Sequence, residues 1–290
     1  MGARIRAAVL VLALLVLGAI GSPASATALA AGPSWQLVAQ DDFHGGLGPH
    51  WTAYQGRPAC CAETDWDSGQ VSEHDGRMTL TSVRRAGGWV TGGVSAAGWP
   101  AAVRTYGKYI ARVRVDRGSG ISAVALLWPQ SGQWPPELDY YELSGVDGDR
   151  TSETATDHRA GDNAQLRSTF HGDLTQWHTV GLIWLPNEIR YFVDGHQTGQ
   201  VTDPSYIPHQ PMWPAFQMQV GATGQYDAGQ VSGAETGPVT MQISGFAVYA
   251  PVSGVVTPGS TGSGWWWLWT VGAGVLLIVV TAVLIARRRG

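Results

Sequence analysis

The chain reads as an all-β protein built from two stacked antiparallel sheets or a barrel, and three observations carry this. Between Trp35 and Tyr249 no stretch sustains the apolar period of a helix. Short runs there alternate apolar and polar residues with the two-residue period of a strand. Gly is abundant, at 39 of 290 residues, and turn dipeptides such as Asp194-Gly195 punctuate those runs. Strands without helices must bury one face against another sheet.

Taken in order, the chain opens with Arg4 and Arg6, an apolar run over 7–20, and Ala24-Ser25-Ala26. That is the layout of a secretory signal, residues 1–26. A folded domain is expected over 32–250. Within it, 77–83 sets Met78, Leu80 and Ser82 against Thr79, Thr81 and Val83. Residues 108–115 alternate more cleanly, with Tyr109, Ala111, Val113 and Val115 on one face and Lys108, Arg112 and Arg114 on the other. Residues 121–128 are apolar enough for a central strand. Ile189, Tyr191 and Val193 run into Asp194-Gly195, a hairpin signal. Residues 213–220 and 239–249 complete a set of short strands, and no internal repeat is present. Residues 251–264, rich in Gly, Ser, Thr and Pro, read as a flexible linker. The next 22 residues, 265–286, are mostly apolar and long enough to cross a bilayer core of about 30 Å. Trp265, Trp266, Trp267 and Trp269 mark the outer edge of this expected transmembrane helix. Arg287, Arg288 and Arg289 place the tail 287–290 in the cytoplasm, and so the folded domain on the extracellular face.

Net charge is −4 and no basic block occurs, which argues against a nucleic-acid partner. The two cysteines, Cys60 and Cys61, are adjacent, so no disulfide framework can be built from them. A vicinal disulfide, two thiols and an intermolecular bond are the alternatives.

The chemistry concentrates in Trp134-Pro135-Pro136-Glu137-Leu138-Asp139-Tyr140-Tyr141-Glu142-Leu143. On a strand, Glu137 and Asp139 share a face, and Glu142 falls one residue out of phase. It rejoins them only across a one-residue bulge between Asp139 and Glu142. Three aligned carboxylates titrate as a coupled set, in which like charge holds at least one proton near neutral pH. Retaining glycoside hydrolysis needs that combination: an ionised nucleophile and a protonated acid about 5–5.5 Å apart. A solvated strand face decorated with acids would carry the same pattern.

The surroundings of the trio resemble glycoside hydrolase family 16, in its bulged, laminarinase-like members, which carry E-x-D-x-x-E after a Trp-Pro segment. Glu137, Asp139 and Glu142 match that pattern. Tyr106-Gly107-Lys108-Tyr109-Ile110-Ala111-Arg112-Val113 and Gly120-Ile121-Ser122-Ala123-Val124-Ala125-Leu126-Leu127-Trp128-Pro129 look like the family's preceding strands. Trp177-His178-Thr179-Val180 and Glu188-Ile189-Arg190-Tyr191-Phe192-Val193-Asp194-Gly195 look like those that follow. The resemblance covers roughly Trp35 to Tyr249. It implies a jelly-roll (concanavalin/lectin-like) sandwich, monomeric, acting as a retaining endo-glycosidase on a β-linked polysaccharide, β-1,3-glucan first. Glu137 would be the nucleophile, Glu142 the acid and then the base, and Asp139 the group that tunes both. Trp128 and Trp134 match cleft-lining aromatics of the family, with Trp99 and Trp213 next in line to bind substrate. His158 sits where the family often has a histidine beside the catalytic strand, within reach of Asp139 or the sugar; His178 reads as structural. No cofactor is implied and no transition-metal pattern occurs. Asp147 and Asp149 are candidate ligands for a structural calcium. Two departures stand out: Pro136 replaces the usual glycine, and Gly92-Gly93-Val94 lacks an arginine often found there. A non-catalytic carbohydrate-binding module, an adhesion domain and a transglycosylase are the rival readings on the same sandwich.

Overall fold

The computed structural model describes residues 33–57, 64–86, 88–220 and 238–252. The expected signal 1–26, the transmembrane segment 265–286, the tail 287–290, nearly all of the linker and Cys60-Cys61 lie outside the described residues. Among the described residues no helix is long and apolar enough to cross a membrane.

Two sheets form a jelly-roll-like sandwich, with strands numbered β1–β17 in chain order. The sheet that bears the carboxylates runs β12 (Gln165–His171), β11 (Ser152–His158), β10 (Glu137–Leu143), β9 (Ile121–Pro129), β16 (Met212–Val220), β7 (Gly93–Ser95) and β2 (Thr52–Ala53). The facing sheet runs β15 (His196–Val201), β14 (Glu188–Val193), β13 (His178–Leu185), β8 (Gly107–Val115), β17 (Val239–Val252), β5 (Arg77–Arg85), β6 (Gly88–Thr91) and β3 (Thr64–Trp66). There β1 (Ser34–Asp41) also pairs with β17, and β4 (Val71–His74) with β5.

The alternation read from sequence decides which side chains face inward. On β8, Tyr109, Ala111, Val113 and Val115 are all buried in the main core. Across from them lie Ala123, Ala125 and Leu127 of β9 and Phe216 and Met218 of β16. Truncating one of these, as in Leu127→Ala, costs about 2–5 kcal/mol. The Asp194-Gly195 turn closes the β14–β15 hairpin with φ of 49° and 80°, the pair of positive values a two-residue hairpin turn demands.

One strand departs from the all-antiparallel expectation: β3 pairs with β6 in parallel. The antiparallel pairs β4–β5 and β5–β6 reverse the chain twice, so β6 returns pointing the way β3 runs and takes it as an edge strand.

Candidate active site

The spacing of the trio sets the geometry of β10. Asp139 stands opposite Thr156 of β11 and Leu126 of β9, and Glu142 opposite Thr154 and Val124. Between them Tyr140 and Tyr141 occupy a stretch where β11 has only Ala155 and β9 only Ala125. Both tyrosine side chains are buried. The extra residue restores the phase of Glu142, and all three carboxylates lie on the outward face of their sheet.

The outward face is ordered in rows across the strands. One row holds His158 and Glu137 and continues through Trp128 to Trp213. The next holds Thr156, Asp139, Leu126, Ala215 and Ser95. The third holds Thr154, Glu142, Val124, Gln217 and Gly93. Val124, Leu126 and Ala215 make a small apolar floor, with Trp128, Trp213 and Tyr54 packed against it.

Trp134 reaches β10 through two cis prolyl bonds, Trp134-Pro135 and Pro135-Pro136. Its indole N–H donates to Glu137 Oε2 at 2.7 Å. The same ring stacks on Trp128, with centroids 6.4 Å apart and planes within 11°, and Trp128 tilts against Trp213 at 6.4 Å. These three indoles form a platform beside the carboxylates, the surface on which a sugar ring can stack. Trp99 does not join them. It is buried in the main core against Trp51 and Phe246, with His50 stacked on it at 4.1 Å.

His158 Nε2 lies 3.0 Å from Asp139 Oδ2, and its Nδ1 lies 2.6 Å from Asn163 Oδ1. Gln165 Nε2 stands 3.2 Å from the same Nδ1. Thr156 Oγ1 donates to Glu142 Oε2 at 2.9 Å. Glu137 is buried, and burial is the largest influence pushing its carboxyl well above the usual range; the charge of Asp139 and, less strongly, of Glu142 adds to it. The charge of His158 and the Trp134 N–H pull the other way.

Several residues at the site escaped the sequence reading. Thr156 shares the outward phase of His158 on β11, so alternation alone could have found it. Asn163 and Gln165 come from the turn and strand after His158, with no motif to mark them. Tyr54 follows the two-residue strand β2, its N–H bonded to the Gly93 carbonyl at 2.8 Å. A Cβ on Gly93 would overlap the Tyr54 ring, so the glycine makes room for this tyrosine. Burial, then the charge of Glu137, raises the Tyr54 hydroxyl above its usual value.

The calcium expectation does not fit. Asp147 Oδ2 accepts from the N–H and hydroxyl of both Thr151 and Ser152, at 2.7–3.1 Å, which occupies it in holding its own loop. Asp149 faces Arg117 instead, at 3.5 Å. Among the described residues the one cluster of close His, Asp and Glu donor atoms is Glu137, Asp139 and His158, all within 4.8 Å of one another.

The sequence matches the family described as Glycosyl hydrolases family 16 over residues 61–243. The chain belongs to that family. The family 16 chain is similar to two curated proteins of Rhizobium meliloti (strain 1021). One is the endo-1,3-1,4-beta-glycanase ExsH, 29% identical over 119 residues, which is 41% of this chain and 25% of that protein. The other is the endo-1,3-1,4-beta-glycanase EglC, 28% identical over 134 residues, 46% of this chain and 29% of that protein. These alignments span between a quarter and a third of the relatives' own length. Among solved structures, the laminarinase from Rhodothermus marinus shares the fold, with a TM-score of 0.66 at 21% identity over 76% of this chain and 99% of that one.

Proposed function

We propose that the chain is an endo-acting, retaining β-glucan hydrolase, cleaving β-1,3 or mixed β-1,3-1,4 linkages. The observation that carries this reading is the bulge, which sets Glu137, Asp139 and Glu142 on one face beside the tryptophan platform. Family membership and the names of the R. meliloti relatives support the substrate class.

In this reading Glu137 attacks the anomeric carbon while Glu142 protonates the departing glycosidic oxygen. Glu142 then deprotonates the water that hydrolyses the glycosyl-enzyme. Attack requires Glu137 to be ionised, although its burial favours the proton. The Asp139–His158 contact lessens that bias. With His158 Nδ1 donating to Asn163 Oδ1, a single proton remains between Nε2 and Asp139 Oδ2. Whichever atom holds that proton, the pair carries no net charge, and Glu137 no longer faces an uncompensated Asp139. The Trp134 N–H then stabilises the Glu137 carboxylate and is released as the ester forms. Thr156 steadies Glu142 through the side-chain hydroxyl.

Reducing-end release from laminarin, mixed-linkage glucan and a galactan tests this reading with the parent and Glu137→Gln. Release of short oligomers by the parent alone supports it; no release from any glucan refutes it. The apolar segments 7–20 and 265–286 support a companion proposal, a domain tethered at the extracellular face. Protease protection of a tagged C-terminus in intact cells tests that placement.

A further inference from the structure

The outward face of the other sheet, opposite the tryptophan platform, carries a groove of about 300 Å³. Trp35 of β1, Phe192 of β14 and Ile110 of β8 give it apolar walls, and Gln197 supplies an amide. Lys108 reaches into it from β8, placed on this face by the same alternation that buries Tyr109. The lysine is only 8% exposed. Its ammonium lies 4.1 Å from the centre of the Tyr249 ring and 5.4 Å from that of Trp35.

A cation buried this far ordinarily has a carboxylate beside it. Lys108 has neither an ion pair nor a hydrogen-bond acceptor among the described residues, and burial lowers its ammonium to about 8. Glu188, on the same strand as Phe192, is engaged by Arg190 at 3.2 Å and by Gln200 at 3.0 Å. Ser34 pairs with Val252, so the chain enters and leaves the described domain next to this groove. No carboxylate among the described residues completes the groove, and a ligand can supply one.

We propose that this groove is a second, non-catalytic glycan site that binds a carboxylated sugar, a hexuronate unit of an acidic polysaccharide. Lys108 meets the sugar carboxylate, and the Trp35 and Phe192 rings take its C–H face. An ammonium beside the Trp35 ring, with Phe192 lining the same groove, suits a pyranose that carries an acid. A bare inorganic anion would leave those rings unused. Held on the sheet remote from the carboxylate trio, such a site would keep a charged polymer near the enzyme without entering the cleft.

Calorimetric titration of the full-length chain tests the site with tetragalacturonate, with its methyl ester, which keeps the shape and removes the charge, and with acetate. The expected result is binding of the acid tetramer, weakened at least tenfold by Lys108→Met and by Trp35→Ala and unchanged by Glu137→Gln. Trp35→Ala, at a half-buried position near the start of β1, keeps the test decisive should Lys108→Met fail to fold. No binding of the tetramer by the parent overturns the proposal. So does an ester or acetate that binds as tightly as the acid tetramer. Binding that survives both groove substitutions, or that is lost in Glu137→Gln, overturns it as well.

Discussion

Two acids beneath the site make the stability of this domain fall as pH rises. On β11 the outward Thr154, Thr156 and His158 alternate with Glu153 and Asp157, which therefore point into the sandwich, each about 1% exposed. Burial pushes Asp157 from 3.8 up to about 7 and Glu153 from 4.5 up to about 8, the charge of Glu142 adding to the latter. The Tyr191 hydroxyl lies beside Asp157 but outside hydrogen-bonding geometry.

Below about pH 4 both acids are protonated in the folded and unfolded chains alike. Above it the unfolded chain releases protons that the folded chain retains, so stability declines by about 1.4 kcal/mol per pH unit for each group. The decline ends once the folded carboxyls ionise, near pH 7 for Asp157 and pH 8 for Glu153. A shift of about three units makes the Asp157 share about 4 kcal/mol. Carboxylates held low, such as Asp147, act below pH 4 and do not overlap this window. Urea unfolding at pH 5, 6, 7, 8 and 9 measures the slope. The parent is expected to lose several kcal/mol between pH 5 and 8. Asp157→Asn should remove about 3 kcal/mol of that loss, with Glu153 and the likewise raised Glu137 supplying the rest, and be the more stable protein at pH 9. A parent whose unfolding free energy is flat from pH 5 to 8, or an Asn variant with the parent's slope, refutes the reasoning.

Azide separates the roles of the two glutamates: it should restore Glu137→Ala as an α-glycosyl azide and Glu142→Ala as a β-glycosyl azide, read by NMR of the product. Deleting Tyr140 straightens β10 while parity keeps Glu142 outward, so the variant should retain measurable hydrolysis despite losing about 3–5 kcal/mol of buried aromatic packing. Inserting one residue after Tyr140 also leaves Glu142 outward by parity but carries it two residues further along β10 than the deletion does, about 7 Å, and should abolish turnover in the same assay. Trp128→Ala should raise KM about tenfold with little change in Tm, since the ring lies on the outward platform. Trp99→Ala should leave KM alone and cost about 3–5 kcal/mol of stability in urea unfolding, since that ring is core.

What sequence could and could not foretell follows from the range of each physical signal. The bulge was legible because parity is a property of one strand: three carboxylates at those spacings share a face only if one residue is extra. The inward face of β8 was legible for the same reason. Burial of an acid depends on strands far away in sequence. Asp157 and Glu153 look like surface residues until β11 is set between β10 and β12 with β14 beneath it. Lys108 shows the same limit, because its outward phase could be read from β8 alone, whereas its enclosure needs Trp35 and Tyr249, which β1 and β17 bring from opposite ends of the domain. Tryptophan is the hardest case, since one side chain suits a core and a sugar platform equally. Trp128 and Trp213 could be separated from Trp99 only by a register that sets them opposite each other on the outward face of β9 and β16. Tyr54 is held over the site by a glycine thirty-nine positions away, a dependence that no window of local sequence contains.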